Sequence, residues 1–91
     1  MNFGEAIEAL KSGKRVSRAG WNGKSMWLAL MDDMVVPPEH INERTLQHID
    51  NPTVPLRVGA YIVMWTAQGT WQPGWLASQA DMLAEDWEVL Q

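Results

Sequence analysis

Cysteine is absent from this 91-residue chain, which excludes a disulfide framework and any thiolate zinc site. Histidine is scarce: His40 and His48 stand eight residues apart, and without a His-x-x-x-His pair no metal site is expected. No apolar run approaches the roughly 20 residues that cross a bilayer. The segment Met1-Asn2-Phe3-Gly4-Glu5 lacks a basic region followed by an apolar core, so no signal peptide is expected and the chain reads as cytoplasmic. The catalytic signatures are missing too. There is no phosphate-cradling glycine loop of Walker or dinucleotide type, and no G-x-S-x-G elbow around Ser17, Ser25 or Ser78. Asp32-Asp33 and Glu85-Asp86 read as solvated ends rather than as a paired acid and base. No catalytic residue, cofactor or metal is therefore expected.

Positive charge is also in short supply. Seven Lys and Arg face eleven Asp and Glu, a net charge of −4, which argues against a general DNA or RNA binder. The balance is uneven along the chain. Residues 1–24 hold five bases (Lys11, Lys14, Arg15, Arg18, Lys24) against two acids, a net of +3, while residues 25–91 hold two bases against nine acids, a net of −7. A small anion finds a local positive site in the first third, and a long polyanion is repelled by the rest.

What the chain has in excess is tryptophan, six in 91 residues. Most lie beside glycine, proline or a short polar side chain. Such a tryptophan offers a broad π-face and one N–H donor, which suits a planar ligand such as a nucleobase. The hydrophobic share of 46% argues against disorder. Ninety-one residues make one domain over 1–91, with a thin stability margin that oligomerisation would widen.

The expected fold class is α+β: a small antiparallel sheet, an N-terminal amphipathic helix, and a short helix before the last strand. Asn2 with Glu5 forms a capping box, Phe3, Ala6, Ile7 and Leu10 recur at helical spacing, and Gly13 stops the helix. Strands are predicted over 14–18, 25–31 and 59–66, with Ala67-Gln68-Gly69 turning into a return strand over 70–72. Ser78 and Asp81 cap the second helix, and Trp87, Val89 and Leu90 form a final strand. Residues 32–58, with Pro37-Pro38, Asn51-Pro52 and Val54-Pro55, read as an irregular excursion that holds a short helix over 39–49 and serves as a lid or an oligomer contact. Met26, Met31, Met34, Met64 and Met82 read as core or interface filling.

Two constellations carry chemistry. In Gly20-Trp21-Asn22-Gly23-Lys24 the glycines admit a ligand close to the backbone, Asn22 suits a base edge or ribose, and Lys24 suits a phosphate. The competing reading is a hairpin turn with Trp21 folded over the core. The second runs from Trp71 through Trp75 and Ser78 to Asp81 and Met82. There Ser78 and Asp81 are accounted for by capping alone, and Trp75 and Met82 by core filling, although a helix start also presents N–H groups to an anion. Trp71, at a turn beside Pro73, is the stronger ligand candidate of that segment.

The segments Asn2-Phe3-Gly4-Glu5-Ala6, Arg18-Ala19-Gly20-Trp21-Asn22-Gly23-Lys24 and Trp75-Leu76-Ala77-Ser78-Gln79-Ala80-Asp81-Met82-Leu83-Ala84-Glu85-Asp86-Trp87 together resemble the small phage proteins of the Thoeris anti-defence type, second kind. The resemblance covers nearly the whole chain, is weakest over 32–58, and is most specific in the closing segment. It implies a sponge: a protein that binds a cyclic ADP-ribose signal made by a bacterial Toll/interleukin-receptor domain protein, holds it unmodified, and so starves the downstream effector. It further implies homotetramers with pockets between protomers, and in some members separate pockets for cyclic di- or trinucleotides. By position, Trp21, Asn22 and Lys24 fall on the first family motif and Ser78, Asp81 and Met82 on the second. The extra Gly74 and the tryptophan-rich hairpin from Trp65 to Trp71 depart from the pattern and bear on ligand preference.

The energetics fit such a role. A nanomolar constant corresponds to about −12 kcal/mol, whereas one base stack contributes about 1–3 and one charged hydrogen bond about 1.5–3. A pocket must therefore enclose both ends of the ligand, and two tryptophan loops from different protomers would supply that. Two rival readings remain: an enzyme that cleaves cyclic nucleotide signals, and a module whose tryptophans dock a protein partner.

Overall fold

Local signals set the two helix starts. In the computed structural model, which describes residues 1–21, 25–50 and 53–90, helix α1 spans Phe3–Lys11 behind an Asn2 capping box completed by Glu5. Gly13, at φ +89°, turns the chain out of that helix, a conformation that costs a side-chain-bearing residue more. Strand β1 (Arg15–Arg18) follows, then a 3-10 turn (Ala19–Trp21) and β2 (Trp27–Met31). The excursion holds β3 (Met34–Val36), a 3-10 turn (Pro38–His40), α2 (Glu43–Leu46) and β4 (Leu56–Val58). Then come β5 (Tyr61–Trp65), β6 (Trp71–Pro73), α3 (Gln79–Leu83) and β7 (Trp87–Leu90). The fold is α+β, as the sequence pattern indicates.

Five strands make one antiparallel sheet in the order β6-β5-β2-β1-β7. Register decides which side chains share a face, because directly paired residues point the same way. Val16 pairs Leu28 and Val89, Leu28 pairs Met64, and Leu30 pairs Ile62. That face meets α1, and Ala6, Leu10, Val16, Leu28 and Trp87 form its buried core. Each fully buried aliphatic side chain there contributes about 1.5–3 kcal/mol. The other face carries Trp27, Trp65 and Trp71 in one cross-strand row.

Within the described part of 32–58 the expected short helix is present as α2, and a strand pair accompanies it. Strands β3 and β4 pair as a separate two-stranded sheet, Met34 opposite Val58, Val35 opposite Arg57 and Val36 opposite Leu56. Pro37 follows the end of β3 and Pro55 precedes β4, as the proline signals indicate, while Asn51-Pro52 lies outside the described residues; the pairing of Val36 with Leu56 joins distant segments and leaves no short-range trace. This arm stretches the molecule to 46 × 26 × 26 Å with a radius of gyration of 16.0 Å, against about 12 Å for a compact chain of this length. Met34 and Val35 on the arm are 56% and 60% exposed, more apolar surface than a water-facing ribbon needs. Among the described residues no helix is long and apolar enough to cross a membrane.

Candidate functional site

The sheet sorts the six tryptophans into two groups. Trp21, Trp75 and Trp87 gather with Phe3 at the end of α1: Trp87 lies edge-on to Trp21 at 5.5 Å and to Trp75 at 6.2 Å, with Phe3 at 5.6 Å. On the opposite face Trp27 stacks on Trp65 at 6.0 Å, Trp71 meets Trp27 edge-on at 6.2 Å, and the Arg15 guanidinium lies 5.2 Å above Trp27. Trp71 and Trp75, four residues apart, thus serve different faces. Ser17 and Glu88, which pair with each other, lie on the same face as the Trp27 row.

Trp21 borders a concavity of about 270 Å³, walled by Ser17, Arg18, Ala19, Ser25, Met26, Glu88 and Leu90 as well as its own indole. Ser25 sits at φ +60°, a left-handed conformation costing a non-glycine residue roughly 1–2 kcal/mol. Such strain is held in place by neighbouring structure and concentrates at ligand-binding turns. A second groove of about 370 Å³ shares Leu90 and is lined by Gly13, Lys14, Arg15 and Val89. Together they run from an aromatic rim to a pair of bases. Small-molecule sites usually enclose about 300–1,000 Å³, a range that the two adjoining concavities reach together.

The turn carrying Trp21 is tied down by an ion network. Arg18 Nε donates to Asp86 Oδ1 and Arg18 Nη1 donates to Asp81 Oδ1, both at 2.9 Å. Asp86 Oδ2 accepts the Gly20 amide at 2.8 Å, and the Asp86 carbonyl accepts the Ala19 amide at 3.1 Å. Asp81 Oδ2 accepts the Ser78 amide at 3.0 Å and the Ser78 hydroxyl at 2.9 Å. Ser78 Oγ in turn accepts the Asp81 amide, which completes the predicted cap of α3. Trp87 Nε1 donates to the Asp81 carbonyl at 2.9 Å. Asp86 is therefore no solvated end: it joins β7 to the Trp21 turn.

The Arg18 guanidinium, and after it the Gly20 amide, hold the Asp86 carboxyl below the usual carboxylate range. Burial pushes Asp81 up, but the Ser78 hydrogen bonds and Arg18 outweigh it, and Asp81 also titrates low. Both carboxyls thus bind protons less readily in the folded chain than in the unfolded one, where an aspartate titrates near about 3.9. Their contribution to stability is complete above that pH and is lost as the pH falls through the folded values. Thermal melts from pH 7 to pH 2.5 should show a drop in midpoint confined to the acid end, and Asp86→Asn should make that drop shallower. An equally steep drop in the variant would remove Asp86 from the cause.

The predicted site residues separate accordingly. Trp21 borders the concavity. Trp75 packs on Phe3 and Trp87, with its backbone amide bonded to the Ile62 carbonyl at 2.8 Å. Trp71 is 46% exposed on the far face, and Met82 is 46% exposed on α3. Ser78 and Asp81 meet each other and, through Arg18, the Trp21 turn. Asn22 and Lys24 lie outside the described residues. Sequence reasoning assigned no part in the site to Arg18, Asp86 or the Ser17, Glu88 and Leu90 wall. Arg18 and Asp86 each adjoin a recognised motif, but nothing local joins positions 68 apart.

Residues 1–90 of the chain match the Thoeris anti-defense 2-like domain family. The chain is also similar to Thoeris anti-defense 2 of Bacillus phage SP01, with 37% identity over 97 residues that cover 99% of this chain and 94% of the phage protein. Among the described residues, no group of His, Asp and Glu is placed to hold a metal ion.

Proposed function

The chain belongs to the Thoeris anti-defense 2-like family, and on that premise we propose that it is a phage anti-defence protein that sequesters a cyclic ADP-ribose immune signal without cleaving it. The observation that carries this reading is Trp21 on the rim of a concavity that continues toward Lys14 and Arg15. An adenine stacks on the indole, and the pyrophosphate lies toward the bases. By the family motif, Asn22 and Lys24 are proposed as further ligand residues. Glu88 in the wall disfavours phosphate at that point, which orients the ligand with its charged part at the basic end. A cyclic ligand loses little freedom on binding, which favours affinity. Cyclic di- and trinucleotides share the same chemistry of base and phosphate and belong to the ligand class proposed.

The assembly proposed is a homotetramer whose pockets are completed across protomers. The apolar surface left open on the described part of residues 32–58 supports it. The β3–β4 arm, with exposed Met34 and Val35, is the contact proposed between copies. Val35→Glu is then expected to lower the solution mass below that of a tetramer in light scattering and to weaken ligand capture with it. A variant that keeps the wild-type mass would move the contact elsewhere.

The direct test mixes purified protein with cyclic ADP-ribose isomers, removes free ligand, and heats the complex. Release of intact cyclic ligand supports capture. Release of a linear product would instead make the protein an enzyme.

A further inference from the structure

The two motifs that sequence reading treats as separate ligand loops are joined through one side chain. Arg18 leaves the end of β1 two residues before Gly20 and binds Asp86, just ahead of β7, and Asp81, in the first turn of α3. Both contacts are 2.9 Å, and the arginine side chain is only 19% exposed. Its two partners are not passive. Asp86 holds the Ala19 and Gly20 amides, fixing the backbone that leads into Trp21. Asp81 holds the Ser78 amide and hydroxyl, fixing the start of α3. Trp87, whose ring Trp21 meets edge-on, hydrogen-bonds the Asp81 carbonyl. From the Gly20 amide to Ser78 the connection is thus continuous through charged hydrogen bonds, which are shorter and stronger than neutral ones.

We infer that Arg18 is a positioning residue, with Asp81 and Asp86 as its two anchors, and that it locks the Trp21 turn to the Ser78 helix start as one rigid half-site. This rests on the proposed ligand site and deepens it. Asp81 then acts through Arg18 and Ser78 rather than on the ligand, since each of its oxygens is already bonded within the protein. Gly20 belongs to the same device. A Cβ at that position would stand 2.9 Å from Asp86 Oδ2, so only glycine lets the amide approach the carboxylate this closely. Arginine rather than lysine is required because one planar guanidinium must reach two carboxylates in fixed directions.

The test follows the Trp21 indole N–H signal by NMR, alongside affinity for cyclic ADP-ribose isomers. Arg18→Met is expected to shift or broaden the Trp21 signal while those of Trp27, Trp65 and Trp71, on the opposite face, stay in place. Affinity should fall at least about ten-fold, as expected for a lost charged contact that orders a site, with partial recovery in Arg18→Lys. Gly20→Ala reaches the same contact from the backbone and should displace the same signal, so the inference remains testable if Arg18→Met does not fold. Wild-type protein that binds no isomer, with Trp21 still displaced in the variants, would sink the ligand assignment and uphold the coupling. Trp21 unmoved in folded variants would overturn the coupling, whatever the wild type binds.

Discussion

Truncating Trp87 to alanine is expected to lower the melting midpoint by roughly 12–40 °C and to leave little folded protein at 37 °C. A buried Trp→Ala change costs about 3–5 kcal/mol, and in a domain of this size each kcal/mol shifts the midpoint by about 4–8 °C. Trp87 is 2% exposed and belongs to the cluster that unites α1, β1 and β2. Its ring is the surface on which Phe3, Trp21 and Trp75 converge. Truncation opens a cavity under all three and leaves the Asp81 carbonyl only the longer bond from the Ala84 amide, at 3.4 Å. Trp71→Ala is the control: nearly half exposed on an edge strand, it should cost far less. Calorimetry of the two variants separates them. A Trp87→Ala protein melting within a few degrees of wild type would contradict the described core.

Trp21→Ala is expected to weaken binding of cyclic ADP-ribose by about 5- to 150-fold, the range that corresponds to losing one base stack of about 1–3 kcal/mol. The melting midpoint should move much less than in Trp87→Ala, because Trp21 lies over Trp87 rather than beneath the sheet. Trp21→Phe should recover part of the affinity, since a smaller ring still stacks. Isothermal titration of the three proteins makes the comparison. Unchanged affinity in Trp21→Ala would remove the indole from the site and leave it as a cover for Trp87.

How much of this was legible in the chain follows from the range of each interaction. Both helix starts were readable because a cap is local: Asn2 with Glu5 and Ser78 with Asp81 act across three residues. The alternation in β2 correctly divided Leu28 and Leu30 from Trp27, Ala29 and Met31, because strand side chains alternate by geometry alone. The division of the tryptophans was only half visible. Trp71 and Trp75 sit close in sequence, yet Pro73 ends β6 between them, and the chain then crosses to the other face. The pairing of β3 with β4 and the Arg18 network lay beyond reach, since both depend on contacts that close long loops. For the same reason Asp86 looked like a solvated end beside Glu85.

Family membership narrows the function to anti-defence against Thoeris. Under the proposed reading, a turn pinned by Arg18 would favour a preorganised pocket, in which little ordering cost is left on binding.

The central claim, capture without cleavage, is tested most directly by native mass spectrometry of the purified protein mixed with cyclic ADP-ribose isomers and cyclic di- and trinucleotides. The account predicts a tetramer carrying ligand of unaltered mass. A bare protein across the whole panel, or one releasing a ligand heavier by one water, would contradict it.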